Sequence, residues 1–188
     1  EHLVVIDIFL TETAELADVV LPATAWGETD GVCTNTERRV QRLRAAMPPM
    51  GEAKPDWWII SQIARRLDIS GFDYESPKEI FNELCNVSPI YAGLDWDRID
   101  KSQYQWPVPD KEHPGTPLLH KDEFKIGRGI FKLINYRDPA EVVDEEFPVW
   151  LTTGRRLEAY HTRTQTGRSE GIDYLLSEES LEIHPEDL

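Results

Sequence analysis

The sequence predicts an α/β fold, and three observations carry that prediction. The run over 3–9, LVVIDIF, is nearly continuous in apolar side chains, as in a strand covered on both faces. Thr11-Glu12-Thr13-Ala14 follows it and offers a helix start. Asp18-Val19-Val20-Leu21-Pro22 is a second short apolar run, closed by its proline. Strand, helix and strand within about 20 residues is the pattern of a parallel sheet.

The remaining elements follow in order. The first helix is expected to reach about Ala17. Residues 26–31, WGETDG, read as a turn, and the weak alternation of 32–35 and 39–43 predicts a β-hairpin. Lys54-Pro55-Asp56 opens an amphipathic helix whose stripe, Trp57, Ile60, Ile63, Ala64 and Leu67, should face the core. Ser76-Pro77-Lys78-Glu79 is a capping box with proline at the first helical position, and its helix runs on through Ile80, Phe81 and Leu84. Residues 102–121, rich in Pro, Gly and charge, read as a long loop or linker. Residues 124–134 read as a hairpin turned by glycines, 138–146 as an acidic connector, and 147–151, FPVWL, as a buried strand. A domain boundary is placed near 142, giving domains 1–141 and 142–188. Both termini fall inside apparent regular elements, so the sequence reads as a segment of something larger.

Bulk composition narrows the function. With 188 residues, 40% of them hydrophobic, and six tryptophans, the chain can build a real core. A formal charge of −15 argues against nucleic acid and anionic membranes as partners. No run approaches the ~18 apolar residues of a spanning helix, and the start is no signal peptide. Cys33 and Cys85 lie far apart and form no CxxC pair, so each reads as a small buried hydrophobe in a reducing, cytoplasmic setting.

The densest chemistry lies over 151–168, LTTGRRLEAYHTRTQTGR. Arg155, Arg156, Arg163 and Arg168 stand there with His161, several threonines and the single acid Glu158. Arginine forks and small hydroxyls in so acidic a protein point to an anion partner, and Gly154 lets the backbone approach a ligand. A solvated arginine-rich loop is the other reading, and the residues alone leave both open. A second basic group, Arg38, Arg39, Arg42 and Arg44, reads as a solvated or ion-paired face. Catalytic hardware is thin: there is no HExxH, P-loop or GxGxxG, and no catalytic or metal-ligating residue is assigned.

Two ordered series carry a family resemblance. The first runs from Asp7-Ile8-Phe9-Leu10-Thr11-Glu12-Thr13-Ala14 through Ala17-Asp18-Val19-Val20-Leu21-Pro22-Ala23. It continues with Glu28, Gly31, Asn35, Glu37, Arg39 and Gln41, and ends with Gly51-Glu52-Ala53 and Asp56-Trp57. The second is Leu151-Thr152-Thr153-Gly154-Arg155, Tyr160-His161-Thr162 and Thr164-Gln165-Thr166. Together they resemble the molybdopterin oxidoreductases, above all the catalytic subunits of molybdenum or tungsten formate dehydrogenases, over nearly the whole chain.

The resemblance implies part of a parallel-sheet molybdopterin-binding domain, followed by the first part of a β-barrel dinucleotide-binding domain. It implies a bis(molybdopterin guanine dinucleotide) centre holding Mo or W, and a 4Fe-4S cluster in the parent but outside this segment. It places Asp7, Thr11, Gly31 and Asn82 along a dinucleotide, and Thr153, Gly154, Arg155, His161 and Thr162 at its pterin and phosphate side. Asn82 departs from the aspartate of the family pattern and by itself reads equally as a helix surface residue. The implied partners are the cofactor, the remainder of the same subunit and an electron-transfer iron–sulfur subunit. The parent reaction implied is formate oxidation. A nitrate reductase of the same family and a cofactor-free scaffold subunit are the alternatives. The family's metal-ligating cysteine or selenocysteine is not among these residues, so the isolated segment is expected to be inactive.

Overall fold

The computed structural model describes residues 2–176 and 178–187. It is mixed α/β with a small parallel sheet and divides into two compact units, Glu1–Gly129 and Ile130–Leu188.

In the first unit, β1 (Val4–Asp7) and β2 (Val19–Pro22) pair in parallel, Val4 opposite Val19 and Asp7 opposite Pro22. Between them lies α1 (Glu12–Glu15), a single turn shorter than expected. Thr11 starts it: its backbone is extended and its hydroxyl accepts from the Ala14 N–H at 3.3 Å, as N-caps do. Ala14 is buried beneath that turn. Beyond β2, Ala23 bridges in parallel to Lys54.

A second sheet has the order β3 (Gly31–Thr34), β4 (Arg39–Leu43), β5 (Tyr104–Gln105), all antiparallel. The expected hairpin is β3–β4. Its turn is closed by Asn35, whose side-chain oxygen accepts from the Glu37 and Arg39 N–H groups at 3.1 and 2.9 Å. Three helices complete the unit: α2 (Asp56–Arg66), α3 (Pro77–Val87) and α4 (Trp96–Lys101). The core gathers Val40, Phe81, Cys85, Leu94, Ile99 and Val108, with Trp96, Tyr104 and Trp106 packed against it.

Several expectations are corrected. The predicted stripe on α2 is only in part its buried face: Ala64 is buried as expected and Trp57 is half-buried, but Ile59 and Ser61 are buried too, while Ile60, Ile63 and Leu67 are substantially exposed. Ser61 is tolerated inside because its hydroxyl donates to the Trp57 carbonyl at 2.8 Å. The capping box at α3 is not formed. Ser76 stands at the N-cap without a side-chain bond, and the Glu79 carboxylate accepts from Glu75 N–H at 2.8 Å.

The segment 102–121 is not a free linker. It supplies β5 and the fully buried Val108. Two arginines pin it. Arg38 donates to the carbonyls of Trp106, Thr116 (2.9 Å) and Pro117 (3.0 Å). Arg98 donates to those of Gly93, Asp110 (3.1 Å) and His113. The segment approaches the backbone so closely at Gly93 that a Cβ there would lie 1.9 Å from the Asp110 carbonyl oxygen. The predicted 124–134 hairpin shrinks to one bridge between Phe124 and Gly127.

In the second unit the described residues form α5 (Glu170–Leu175) and two short 3-10 turns, 166–168 and 185–187. The expected strand over 147–151 is absent, and Phe147, Val149, Trp150 and Leu151 are exposed. An apolar run supplies the side chains of a strand but not a ladder partner, and no strand is formed among the described residues of this unit. Near the end of the chain, where the sequence reads as a regular element, residues 181–183 likewise form no strand. No helix among the described residues is long and apolar enough to cross a membrane.

Candidate functional site

In the first unit the candidate residues begin at the carboxyl end of the parallel pair, where open α/β sheets bind ligands. Asp7 is the last residue of β1 and half-buried. One carboxylate oxygen accepts from the Phe9 N–H at 3.2 Å. Thr11 follows at the start of α1, 8% exposed, its N–H bonded to the Phe9 carbonyl. The sheet end is then closed by Ala23, which donates to the Asp7 carbonyl at 3.0 Å, and by Thr24, whose N–H donates to Lys54 at 3.2 Å.

Thr24 was not among the residues the sequence singled out. Its side chain is 7% exposed, and its hydroxyl is buried without a hydrogen-bond partner. Buried hydroxyls in folded proteins are nearly always partnered. The one signal in the sequence is position, directly after the strand-closing Leu21-Pro22-Ala23.

Gly31 and Asn82 stand apart from that end, on β3 and α3. Gly31 pairs with Leu43, its carbonyl accepts from Arg42 at 2.7 Å, and a Cβ would meet nothing within 4 Å. Nothing in the unit's own packing therefore demands glycine there. Asn82 is half-buried and accepts from the Trp96 N–H at 3.0 Å, which helps start α4. Its amide nitrogen remains for another partner.

The second basic group is built into the first unit. Arg42 lies 3.5 Å over the Trp96 ring, with a side chain only 7% exposed. It donates to the carbonyls of Gly31 and Leu43 and to Asp100. Arg39 pairs with Glu37, and Arg44 with Asp100. The Arg39 guanidinium and the Asn35 amide hold the Glu37 carboxyl below its ordinary range. The ion-paired reading of these arginines agrees with these contacts. Arg38, clasping three backbone carbonyls, does more than line a face.

In the second unit, Gly154, Arg155 and His161 line one cleft of about 550 Å³, together with Arg156, Tyr160 and Arg163. His161 takes a left-handed backbone, φ 50°, and its ring meets that of Tyr160 edge-on at 4.4 Å. The loop arginines differ in their attachments. Arg163 binds Asp173 and reaches Glu179 at 3.7 Å, Arg156 donates to Ser180 at 2.8 Å, and Arg168 donates to the Thr164 carbonyl at 3.1 Å. Arg155 makes no hydrogen bond or ion pair among the described residues. Thr153 and Thr162 are exposed beside the cleft without lining it, and Thr162 exchanges a hydroxyl bond with Thr164 at 3.1 Å.

A dinucleotide needs cationic forks for its pyrophosphate, hydroxyls for its polar edges and a carboxylate for a purine N–H face. Taken by itself, the first unit offers the second oxygen of Asp7 as an acceptor and the Thr24 hydroxyl without a partner, and the second unit offers the Arg155 guanidinium as a cationic fork. Among the described residues, no three His, Cys, Asp or Glu side chains gather as a metal site. Cys85 is buried, and Cys33 lies on β3.

Comparison with known proteins decides the family. Residues 1–66 match the molybdopterin oxidoreductase family. The chain is 47% identical over 190 residues to the F420-dependent formate dehydrogenase subunit alpha of Methanocaldococcus jannaschii, a match covering all of this chain and 28% of that protein. The chain belongs to the molybdopterin oxidoreductase family. Another relative in the family is a putative formate dehydrogenase of Bacillus subtilis, 41% identical over 189 residues, covering 99% of this chain and 19% of that protein. The chain thus spans 19–28% of the length of these relatives. Among solved structures, the acetylene hydratase of Pelobacter acetylenicus matches with a TM-score of 0.46 and 28% identity, over 58% of this chain and 15% of that one. Asp7, Thr11 and Gly31 lie inside the span that matches the molybdopterin oxidoreductase family; the 151–168 loop lies outside it.

Proposed function

We propose that this chain is a cofactor-cradling part of the catalytic subunit of a formate dehydrogenase. The cofactor is a bis(molybdopterin guanine dinucleotide) with Mo or W. When bound, it supplies the two-electron chemistry by which formate becomes CO2 with release of one proton and two electrons. The residues of this chain bind and orient it. Asp7 accepts from a guanine N–H edge, with Thr11 beside it, and Gly31 leaves open space along the ligand. Asn82 offers its amide nitrogen. Arg155 meets phosphate oxygens, with Thr153, Gly154, His161 and Thr162 forming the rest of that side. The remainder of the subunit completes a barrel around residues 142–188 and contributes the metal ligand and the 4Fe-4S cluster. Electrons leave to an iron–sulfur partner subunit.

One observation carries this reading above a scaffold role. Arg155 is a free cation facing a cleft in a chain of charge −15, while its neighbouring arginines are engaged within the chain. A scaffold gains nothing from leaving it unpaired. The formate reading is favoured over nitrate reduction by the relatives, named as formate dehydrogenases at 41–47% identity.

The test is metal and pterin content of the full-length parent, with formate-dependent dye reduction. Mo or W with activity on formate supports the proposal. A metal-free, pterin-free parent refutes it, and turnover of nitrate but not formate moves it to the nitrate reductase. Arg155→Ala in that parent should weaken cofactor binding by roughly 10- to 150-fold, the worth of a charge-assisted hydrogen bond, and leave secondary structure unchanged. The isolated 188-residue chain should reduce no dye.

A further inference from the structure

We propose that Thr24 is a further ligand-holding residue of this cradle, its hydroxyl kept without a partner until the dinucleotide binds. The proposal rests on the cofactor reading above and adds a residue that the family pattern does not assign. Its ground is the combination of place and chemistry. Thr24 follows β2 at the carboxyl end of the parallel pair. It is the next residue after Ala23, whose N–H is bonded to the Asp7 carbonyl, and it shares that sheet end with the capping Thr11. Its own N–H is satisfied by Lys54, so the backbone there is fixed while the side chain is not.

The side chain is nine-tenths buried, and the hydroxyl oxygen meets no donor or acceptor. Burying a hydroxyl without a bond is unfavourable, and valine of the same shape would avoid that cost. A threonine at this point therefore needs a use for its oxygen. The hydroxyl is shut in as the chain stands, so a turn of the Thr24 side chain on loading is part of the proposal. The turned hydroxyl donates to a phosphate or carbonyl oxygen of the ligand, or accepts from a ring N–H.

The experiment uses the full-length parent and compares Thr24→Val, Thr24→Ser and Thr24→Ala with wild type. The readouts are Mo or W and pterin content, and the thermal midpoint of loaded and cofactor-stripped protein. Valine should lower cofactor affinity about tenfold and shrink the gap between loaded and stripped midpoints, while the stripped midpoint stays level or rises. Serine should keep wild-type loading. If valine fails to fold, serine against alanine decides, since those two differ only in the hydroxyl: equal loading of both overturns the proposal, and loss in alanine alone supports it. Full loading of the valine variant overturns it while leaving the cofactor reading intact. Equal loss in valine, serine and alanine also overturns it, because packing would then explain the effect. A wild-type parent without metal or pterin overturns the underlying reading, and this proposal with it.

Discussion

Arg42 and Arg44 share an acceptor and should differ sharply in worth. Both reach the same Asp100 carboxylate oxygen, at 3.2 and 2.8 Å. By distance alone Arg44 makes the better pair. Its side chain is 58% exposed, however, and such surface pairs contribute about 0–1 kcal/mol. Arg42 is 7% exposed, lies flat on Trp96 at the edge of the core, and donates to two backbone carbonyls besides. Arg42→Ala takes the cation from the indole face, about 0.5–2 kcal/mol. It also strips a charged donor from the Gly31 and Leu43 carbonyls. Leaving those carbonyls without their donor costs about 1–3 kcal/mol more. Urea unfolding of the two variants, followed by tryptophan fluorescence, measures the difference, expected to be at least about 1 kcal/mol. In thermal unfolding this is at least roughly 2 °C for a chain of this size. Equal destabilisation by the two substitutions would refute the argument that burial and shared carbonyl acceptors, rather than ion-pair distance, set the value of these arginines.

Gly93→Ala should destabilise the first unit by at least about 1–3 kcal/mol, the range for forcing atoms into a packed site, because its Cβ would lie against the Asp110 backbone; a thermal midpoint equal to wild type would count against the close approach. Burial pushes the Cys85 thiol up to about 11, with the Asp95 charge adding to the effect. The neutral thiol thus favours the folded chain fully below the ordinary thiol range, and that contribution fades as pH rises from about 9 to about 11, which stability measured across that window will show. At pH 8, iodoacetamide should modify Cys33 well before Cys85, and Cys85 only on unfolding; mass spectrometry of the labelled peptides checks this. Lys78→Ala, which removes an exposed pair with Asp97 at 2.7 Å, should change stability by no more than about 1 kcal/mol in the same urea assay.

Short-range features were legible in the sequence. β1, α1 and β2 follow from two apolar runs with a threonine cap between them, and the β3–β4 hairpin follows from the alternation around Asn35. What escaped depends on partners distant in sequence. The 102–121 segment has the composition of a linker, and what makes it part of the core is the pairing of β5 with β4, the burial of Val108 and the reach of Arg38 and Arg98 to its carbonyls. The helix α4 was missed although Asp95 caps it, accepting from Arg98 N–H at 2.8 Å, because six residues carry too little periodicity. On α2 the spacing established a helix and put Ala64 on its buried face, but packing chose Ile59 and Ser61 over Ile60 and Ile63. Residues 147–151 have the side chains of a strand and lack a partner strand. The site shows the same division. Asp7 and Thr11 stand where local pattern put them, and Arg155 could be named from resemblance to a known motif. Its freedom beside three engaged arginines, like the orphaned hydroxyl of Thr24, is a property of packing that no string of letters displays.

The buried cluster around Val40 and Phe81 draws on no residue of β1, β2 or α2. The two short parallel strands that present Asp7 therefore sit outside the region that opens only when the whole unit unfolds. Their amides, over 4–7 and 19–21, can exchange with solvent through smaller, cheaper openings than those of β4. A ligand fastened at the end of such strands must quiet them first, and part of its affinity is spent on that ordering. The slowing of exchange in those seven amides then becomes a gauge of occupancy, read from the backbone and independent of any turnover.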